Sequence, residues 1–382
     1  MYAWEGFDLF RTPAYHELFI VSVFARESTL MSRRRVFAAG LASALVLSVG
    51  LFAQTDKKTE DALKKDAQAL SKLADAALAA QGGSNDFNVT WVNEDFLKGP
   101  KDKEFIPFTI TLDPTKAGAD LTLYWRVVPT PSAAAPPADP KNKDKQPAAK
   151  PVWEGVTLVP VAGASNPLRL SRSFVAPAGS YDVYVVAKEL QVEKKNTPPK
   201  TVVLKQTVNV PEFWSTDLTT SSVIIADRID PLPAPLSQSQ LVERPYAALG
   251  VMEIFPAASS KLPKKAELSV FFLIYNPKGD SAQKPDINIE YNFCQAAPGN
   301  QPKPDEPCKP GEKFYNKTDP QVMNAQTLPP AFDLSMGHQL QTGQAVPLAG
   351  FPEGDYRLEI KVTDKLANKV VTRDVNFTVS AS

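Results

Sequence analysis

The spacing of hydrophobic positions changes near residue 83. From residue 55 to 81, apolar side chains recur every three or four positions, which is the spacing of one stripe along a helix. The stripe consists of Leu63, Ala67, Leu70, Ala74 and Ala77. The glycine pair at 82–83 is a suitable helix end. The sequence therefore predicts a solvent-exposed spacer helix within residues 54–83. A short coiled coil, or docking onto a partner, is the alternative.

After residue 83 the apolar positions alternate with polar ones, and β-branched and aromatic residues become frequent. This pattern is typical of half-buried strands. Seven segments bounded by Pro, Gly or Asn predict strands at residues 88–92, 105–112, 121–128, 156–161, 168–175, 181–188 and 202–210. Seven short strands separated by turns indicate an antiparallel β-sandwich over residues 84–211.

A second block of strand-like segments follows a proline-broken connection at residues 211–245. Strands are predicted at residues 222–226, 248–255, 266–275, 287–293, 356–363 and 370–379. With its linker this block covers residues 212–382. The chain is therefore expected to be mainly β, with two immunoglobulin-like antiparallel sandwiches that follow the N-terminal segment and the short helix.

An internal repeat supports two copies of one architecture. Gly179 and Tyr181 open one alternating segment, and Gly354 and Tyr356 open another. A further strand-like segment follows in both cases. We expect each tyrosine to cover the end of its sandwich, as the tyrosine corner does in immunoglobulin-like domains.

The N-terminal region has the pattern of an export signal. Arg33, Arg34 and Arg35 precede eighteen uncharged residues that end at Ala53. A basic stretch, an apolar stretch and a small residue make a secretory signal, which normally starts the chain. We therefore expect Met31 to be the initiator, residues 1–30 to be an overextended start, and the signal to be cleaved after Ala53.

A retained membrane anchor is the alternative to cleavage, because eighteen helical residues span about 27 Å. Both hypotheses predict export, to the periplasm, the outer surface or the medium. The arginine pair leaves the Sec and the twin-arginine routes open. Contact with a membrane is expected only through this segment, if it is not cleaved.

Charge and proline content narrow the possible functions. The chain has 42 basic and 42 acidic residues, and residues 54–382 have 37 and 38. This balance argues against a nucleic-acid partner, which requires a basic surface. Between residues 129 and 151, 17 of 23 residues are Pro, Ala or Lys. Such a segment predicts a disordered loop within the first sandwich, or a proline-rich ligand for a partner.

Cysteine and histidine are scarce. Cys294 and Cys308 bracket a proline-rich loop and are expected to form a disulfide in an oxidising compartment. His338 is the one histidine outside the predicted leader, and no G-x-S-x-G, H-E-x-x-H or phosphate-binding glycine motif is present. The sequence therefore predicts no catalytic residues, no cofactor and no metal.

Three further kinds of residue are candidates for a functional site. A glycoside hydrolase would need a carboxylate pair, and the candidates are Glu290, Asp333 and Glu359. Calcium would need oxygen ligands, and the acidic residues near turns are Asp227, Asp230 and Asp364. A glycan would need exposed aromatic rings, and the available ones are Trp91, Trp125, Trp153, Tyr184 and Trp214.

Three strand-like segments of the second block, at residues 221–227, 268–276 and 351–358, form a recognisable set. Through these segments, roughly residues 215–382 resemble a module of exported acidobacterial proteins, which in some of them lies beside von Willebrand A or GWxTD domains. The resemblance implies a β-sandwich of the cell envelope and supplies no catalytic residues. The function expected from the sequence is a non-enzymatic envelope scaffold or interaction module with an unknown envelope protein as partner. Carbohydrate binding is the alternative, and a glycoside hydrolase is a weaker one.

Overall fold

The computed structural model describes residues 67–76, 85–130, 150–190 and 198–381. Several sequence predictions lie outside these ranges: the initiator Met31, the signal residues Arg33, Arg34, Arg35 and Ala53, and most of the 129–151 loop. Within the described ranges, no helix has the length and apolar character needed to cross a membrane.

In its described residues, the first sandwich has eight strands. They are β1 (Thr90–Glu94), β2 (Leu97–Lys98), β3 (Glu104–Leu112), β4 (Leu121–Pro129), β5 (Trp153–Val159), β6 (Leu168–Ala176), β7 (Gly179–Glu189) and β8 (Thr201–Val210). In one sheet β3 pairs with β1, β2 and β6, and the other has the order β5-β4-β7-β8. All these pairs are antiparallel. The core lies between the two sheets.

The second sandwich has eleven strands in the described residues. They are β9 (Thr219–Thr220), β10 (Ile224–Pro231), β11 (Met252–Pro256), β12 (Lys261–Pro263), β13 (Glu267–Tyr275), β14 (Ile287–Ala296), β15 (Glu312–Lys317), β16 (Gln321–Met323), β17 (Leu340–Pro347), β18 (Gly354–Asp364) and β19 (Lys369–Ser380). One sheet has the order β11-β10-β13-β17, with β9 on β13, and the other has the order β12-β19-β18-β14-β15, with β16 on β14. Only β12 with β19 is a parallel pair among the described strands.

The predicted fold class, two immunoglobulin-like β-sandwiches, is confirmed. Twelve of the thirteen predicted segments fall largely on observed strands; in the other, 248–255, the first residues form a turn and the strand starts only at Met252. The sequence missed β17, which pairs with β13 along eight residues, because its Gln, Thr and Gly residues do not look like a strand. Gly343 in β17 is required by space, since a Cβ there would lie 2.4 Å from the carbonyl oxygen of Val270.

The two repeat tyrosines have the same environment. The hydroxyl of Tyr181 donates to the carbonyl of Pro177 at 3.0 Å, and that of Tyr356 donates to the carbonyl of Pro352 at 2.8 Å. Both are buried at the start of a strand, and each hydroxyl satisfies a carbonyl four residues upstream. This is the geometry of a tyrosine corner.

The strand register extends the equivalence to the core. Trp125 in β4 is opposite the residue four positions after Tyr181, and Tyr291 in β14 is opposite the residue four positions after Tyr356. Both aromatic side chains are buried. A buried Trp on the corresponding strand is typical of immunoglobulin-like sandwiches. Trp125 and Tyr291 therefore fill the same place in the two copies.

Residues 67–76 form a helix, α1, that packs on the outer face of the β5-β4-β7-β8 sheet. Leu70 and Ala74 are fully buried, and they contact an apolar patch made by Tyr124, Val128, Tyr184 and Val186. Arg126 in β4 fixes the helix through Asp75 at 2.5 Å and Ser71 at 2.7 Å. Over residues 67–76 the predicted stripe is therefore present, but it is buried against the chain's own sandwich rather than exposed; Leu63 and Ala77 lie outside the described residues.

Candidate functional site: the joint between the sandwiches

The two sandwiches meet at an interface that we call the joint. From the first sandwich it receives residues 95–105, and from the second it receives the linker at 213–222, the segment 245–254 and the end of β13. Phe96, Leu97 and Phe105 pack there against the second sandwich in one apolar cluster. The other members of the cluster include Phe213, Ile224, Tyr246, Leu249, Ile254, Phe271, Leu273 and Tyr275.

Hydrogen bonds also cross the joint. The backbone N–H of Phe96 donates to Oγ of Ser222, and the N–H of Ser222 donates to the carbonyl of Phe96, both at 2.9 Å. The N–H of Lys98 donates to the hydroxyl of Tyr275 at 3.0 Å. Its ammonium group donates to Oδ1 of Asn276 at 3.1 Å. These bonds give the apolar contact a defined register.

Asp95 lies buried inside the joint. Its Oδ2 accepts a hydrogen bond from the hydroxyl of Tyr246 at 2.7 Å and another from Nδ2 of Asn93 at 3.0 Å. Tyr246 belongs to the 3-10 turn Pro245–Ala247 of the second sandwich. Burial raises the pKa of the Asp95 carboxyl to about 6, although the hydrogen bonds from Tyr246 and Asn93 act to lower it.

Glu104 is the second buried acid of the joint and is only 1% exposed. Its Oε1 accepts the backbone N–H of Phe213 at 2.9 Å, whereas its buried Oε2 has no hydrogen-bond partner. Burial raises the pKa of the Glu104 carboxyl to about 7; the N–H of Phe213 acts to lower it and the nearby Glu212 to raise it. An ionised carboxylate in this position would leave an oxygen without a donor.

Trp214 forms the exposed rim of the joint. Its indole N–H donates to the carbonyl of Lys103 at 2.9 Å, and the ammonium of Lys98 lies 4.4 Å from the ring centroid. Of the other aromatic residues considered for a glycan, Trp125 and Tyr184 are buried. Trp91 and Trp153 pack against the core of the first sandwich. The structure therefore does not place these rings together on an exposed face.

The carboxylates considered for hydrolysis have other partners. Glu290 lies 3.7 Å from the ammonium of Lys361, and Glu359 lies 3.6 Å from the guanidinium of Arg357. Asp333 caps a short turn by accepting the N–H and hydroxyl of Ser335. The N–H of Asp333 donates to Nδ1 of His338 at 2.9 Å. Because the serine hydroxyl donates to Asp333 rather than to His338, these residues do not have the arrangement of a catalytic triad.

The predicted disulfide is confirmed. Cys294 and Cys308 are bonded, with their Cα atoms 5.6 Å apart. Among the described residues, the one cluster with metal-ligand spacing consists of these two cysteines and Glu312. Since both sulfurs are in the disulfide, no thiolate is available there. Two of the three calcium candidates have separate roles: Asp230 pairs with Arg228, and Asp364 accepts three backbone N–H groups.

Sequence reasoning missed Asp95 and Glu104, because both lie in runs of charged residues that look like exposed turns. One signal was present for Glu104. It is two residues before Ile106 and four before Phe108, so strand alternation places its side chain on the side of β3 that faces the core. No comparable pattern marks Asp95, whose burial depends on the second sandwich.

No protein-family model and no curated protein matches the sequence. Among solved structures, the chain is similar to an immunoglobulin-like protein from Pseudomonas aeruginosa, with 13% identity, a TM-score of 0.19, and coverage of 42% of this chain and 97% of that one. It is also similar to Salmonella alpha-2-macroglobulin, with 13% identity, a TM-score of 0.19, and coverage of 78% of this chain and 17% of that one. For Escherichia coli alpha-2-macroglobulin the identity is 11% and the TM-score is 0.20, and the match covers 78% of this chain and 35% of that one. The chain thus spans a minor part of either macroglobulin, and the assignment of two sandwiches rests on the strand pairing itself.

Proposed function

We propose that the protein is an exported, non-enzymatic scaffold of the cell envelope that binds another protein through its β-sandwiches. The observation that carries this proposal is the joint. An apolar cluster and two hydrogen bonds between Phe96 and Ser222 connect the two sandwiches. Such a connection suits a protein whose task is to hold binding surfaces in a fixed relation.

Two features support export. The basic and apolar stretches between Arg33 and Ala53 have the pattern of a secretory signal. The disulfide between Cys294 and Cys308 is of a kind that persists in oxidising compartments. The groups considered for catalysis are engaged in ion pairs and turn caps, which supports a binding role.

The edge of β8 is the surface that we assign to the partner. The strand is ten residues long, and it pairs with β7 on one side. On its other side, the contacts seen in the described residues are at its start: a bridge from Asn85 to Val202, and hydrogen bonds of Thr201 with the N–H and the carboxylate of Asp86. Between Val202 and Val210 it carries one charged residue, Lys205. Charged residues and covering elements are the usual means of blocking a strand edge.

The other long edges are obstructed. Helix α2 (Gln238–Glu243) lies against β6, and its Glu243 accepts from Thr157 of β5 at 3.5 Å. The side chain of Gln321 donates to the carbonyl of Gly343 on the β17 edge at 2.8 Å. On β19, the guanidinium of Arg373 reaches across to β9. The β8 edge is therefore the best template for an added strand from a partner.

A pair of proline variants tests this assignment. Backbone N–H groups of adjacent residues in a strand point to opposite neighbouring strands. Of the two variants Lys205→Pro and Gln206→Pro, one therefore removes an N–H that is hydrogen-bonded to β7. The other removes only an N–H on the open edge. We expect the edge variant to keep the melting temperature of the wild type. It should recover at least about tenfold less partner from solubilised envelope, because a proline interrupts the added ladder.

The matched control is Lys205→Gln, which changes the charge and keeps the N–H. It should recover the same partner as the wild type, measured by quantitative mass spectrometry of the bound fraction. Equal recovery by the fold-preserving proline variant would exclude β8 as the binding edge. If neither the wild type nor the control enriches an envelope protein, the proposal of a protein partner is wrong.

A further inference from the structure

We propose that the joint is a pH-controlled connection: it is held closed when Asp95 and Glu104 are protonated, and it loosens as the pH rises through neutrality. The Asp95 carboxyl lies in the contact between the sandwiches, the Glu104 carboxyl lies beside it under the linker at Phe213, and both residues are buried. Each forms a hydrogen bond with a group on the far side of the joint or in the linker. The inference goes beyond the proposed scaffold function and does not depend on the β8 edge.

The two acids occupy successive positions along the contact. Asp95 directly follows β1 and is covered by Tyr246, which comes from the second sandwich. Glu104 begins β3 and is covered by the linker at Phe213. Separation of the sandwiches would expose both carboxyls to water. Their protonation is therefore coupled to the state of the joint and not only to the folding of either sandwich.

Among the residues that the structure describes, the groups that act on Asp95 do not supply a positive charge. On its own strand it faces Asn93 and Glu94, and across the joint it faces the hydroxyl of Tyr246. In the described structure, Asn93 and Tyr246 act as hydrogen-bond donors, and Glu94 acts as a like charge. Tyr246 itself has a raised pKa, caused first by burial and then by Asp95, so it stays protonated. Ionisation of Asp95 inside the closed joint therefore lacks a counter-ion.

The groups around Glu104 include one cation. From β2 and the following turn it faces Lys98 and the N–H of Gly99, and from the linker it faces Glu212 and the N–H of Phe213. On β13, the hydroxyl of Tyr275 is close enough for the charge of Glu104 to raise its pKa. The ammonium of Lys98 is directed to Asn276 and to the ring of Trp214. Lys98 thus offsets only part of the cost of a buried carboxylate.

The sign of the effect follows from the direction of the shifts. The pKa of Asp95 rises from 3.8 to about 6 and that of Glu104 from 4.5 to about 7 when they are buried. The closed joint therefore holds protons that an open joint releases between about pH 4 and 7. Closing is most favourable below this window and least favourable above it. Over this window, ionisation of each carboxyl therefore weakens the closing equilibrium.

Energy transfer between the sandwiches tests the proposal. Val156 in the first sandwich and Val370 in the second are exposed, and each can be replaced by an unnatural amino acid that is labelled without using thiols. For the full-length protein we expect one narrow distribution of transfer efficiency at pH 5 and a broader or shifted one at pH 8. A distribution that is the same from pH 4 to 8.5 would overturn the proposal.

The neutral double variant Asp95→Asn with Glu104→Gln identifies the responsible groups. At pH 8 it should have the distribution of the wild type at pH 5. The control Glu290→Gln, which changes a half-buried acid of the second sandwich that lies 3.7 Å from Lys361, should keep the wild-type response. A pH response that persists in the double variant would show that other groups cause it.

A second measurement does not depend on the fold of a variant. Carbon-13 NMR of the wild-type carboxyl groups reports their protonation directly. We expect the Asp95 and Glu104 signals to titrate near pH 6 and 7. Titration of both near pH 4, the ordinary value, would overturn the proposal.

Discussion

Replacing Arg357 by methionine is expected to lower the free energy of unfolding by about 3 to 5 kcal/mol, the usual effect of removing one partner from a buried ion pair. The side chain of Arg357 is 5% exposed and donates to Asp374 and Glu312, both at 2.6 Å. It also donates to the carbonyl of Pro307 at 3.0 Å. Without the guanidinium, these partly buried acids would face one another without their main counter-ion.

The pH dependence of this stabilisation has a definite sign. Hydrogen bonding by Arg357 holds the pKa of the Glu312 carboxyl below its ordinary value, against the effect of burial. Glu312 therefore contributes stability above the ordinary pKa of a glutamate, and this contribution is lost as the pH falls through the lowered pKa. Urea unfolding at pH 7, where this contribution is fully present, measures the loss of stability caused by Arg357→Met.

The matched control is Arg228→Met, which removes an exposed ion pair with Asp230. It should cost less than about 1 kcal/mol, because exposed pairs contribute little. If Arg357→Met costs no more than this control, the guanidinium does not organise the acids around it. Adding Glu312→Gln and Asp374→Asn to Arg357→Met should recover part of the loss.

Removing the disulfide by Cys294→Ala with Cys308→Ala is expected to cost about 3 kcal/mol, which is the loop-closure estimate for a ring of about fifteen residues. The two cysteines are 14 positions apart, and both are buried. The bridge holds the loop whose Pro307 carbonyl accepts from Arg357. Comparing urea unfolding of the oxidised protein with that of the double variant measures the effect.

The stability losses caused by Arg357→Met and by removal of the disulfide should not be additive, because both changes act on this loop. Once the disulfide is absent, the loop is less ordered, and replacing Arg357 then lowers the stability by a smaller amount. A double-mutant cycle should therefore give a coupling energy of at least about 0.5 kcal/mol. Additive losses would show that the loop keeps its place without the bridge.

The positions of most strands along the chain were predictable from the alternation of apolar and polar residues alone. Segments such as 121–128 and 181–188 pair along their whole length in the structure, because their apolar positions require one buried face. The connection at 211–245 was predicted less well. It contains α2, which lies against β6 of the first sandwich, and the end of β10, which pairs with β11; neither is marked by a local pattern.

The candidate site was less predictable than the fold. Asp95 and Glu104 look like surface acids in the sequence, since each lies among other charged residues. Their burial requires that Tyr246 and Phe213, which are more than a hundred positions away, close over them. The local alternation of apolar and polar residues does not indicate contacts between residues so far apart in the chain.

The sequence by itself determined that two sandwiches would form, that Cys294 and Cys308 could be bridged, and that a Gly-x-Tyr element would recur. These features depend on short-range alternation and on repeated local motifs. The tertiary structure alone decided that helix α1 packs on the first sandwich and that two acids are enclosed between the sandwiches. Both outcomes depend on which surfaces meet, and the free energy of burying a side chain is set by those surfaces and not by its neighbours along the chain.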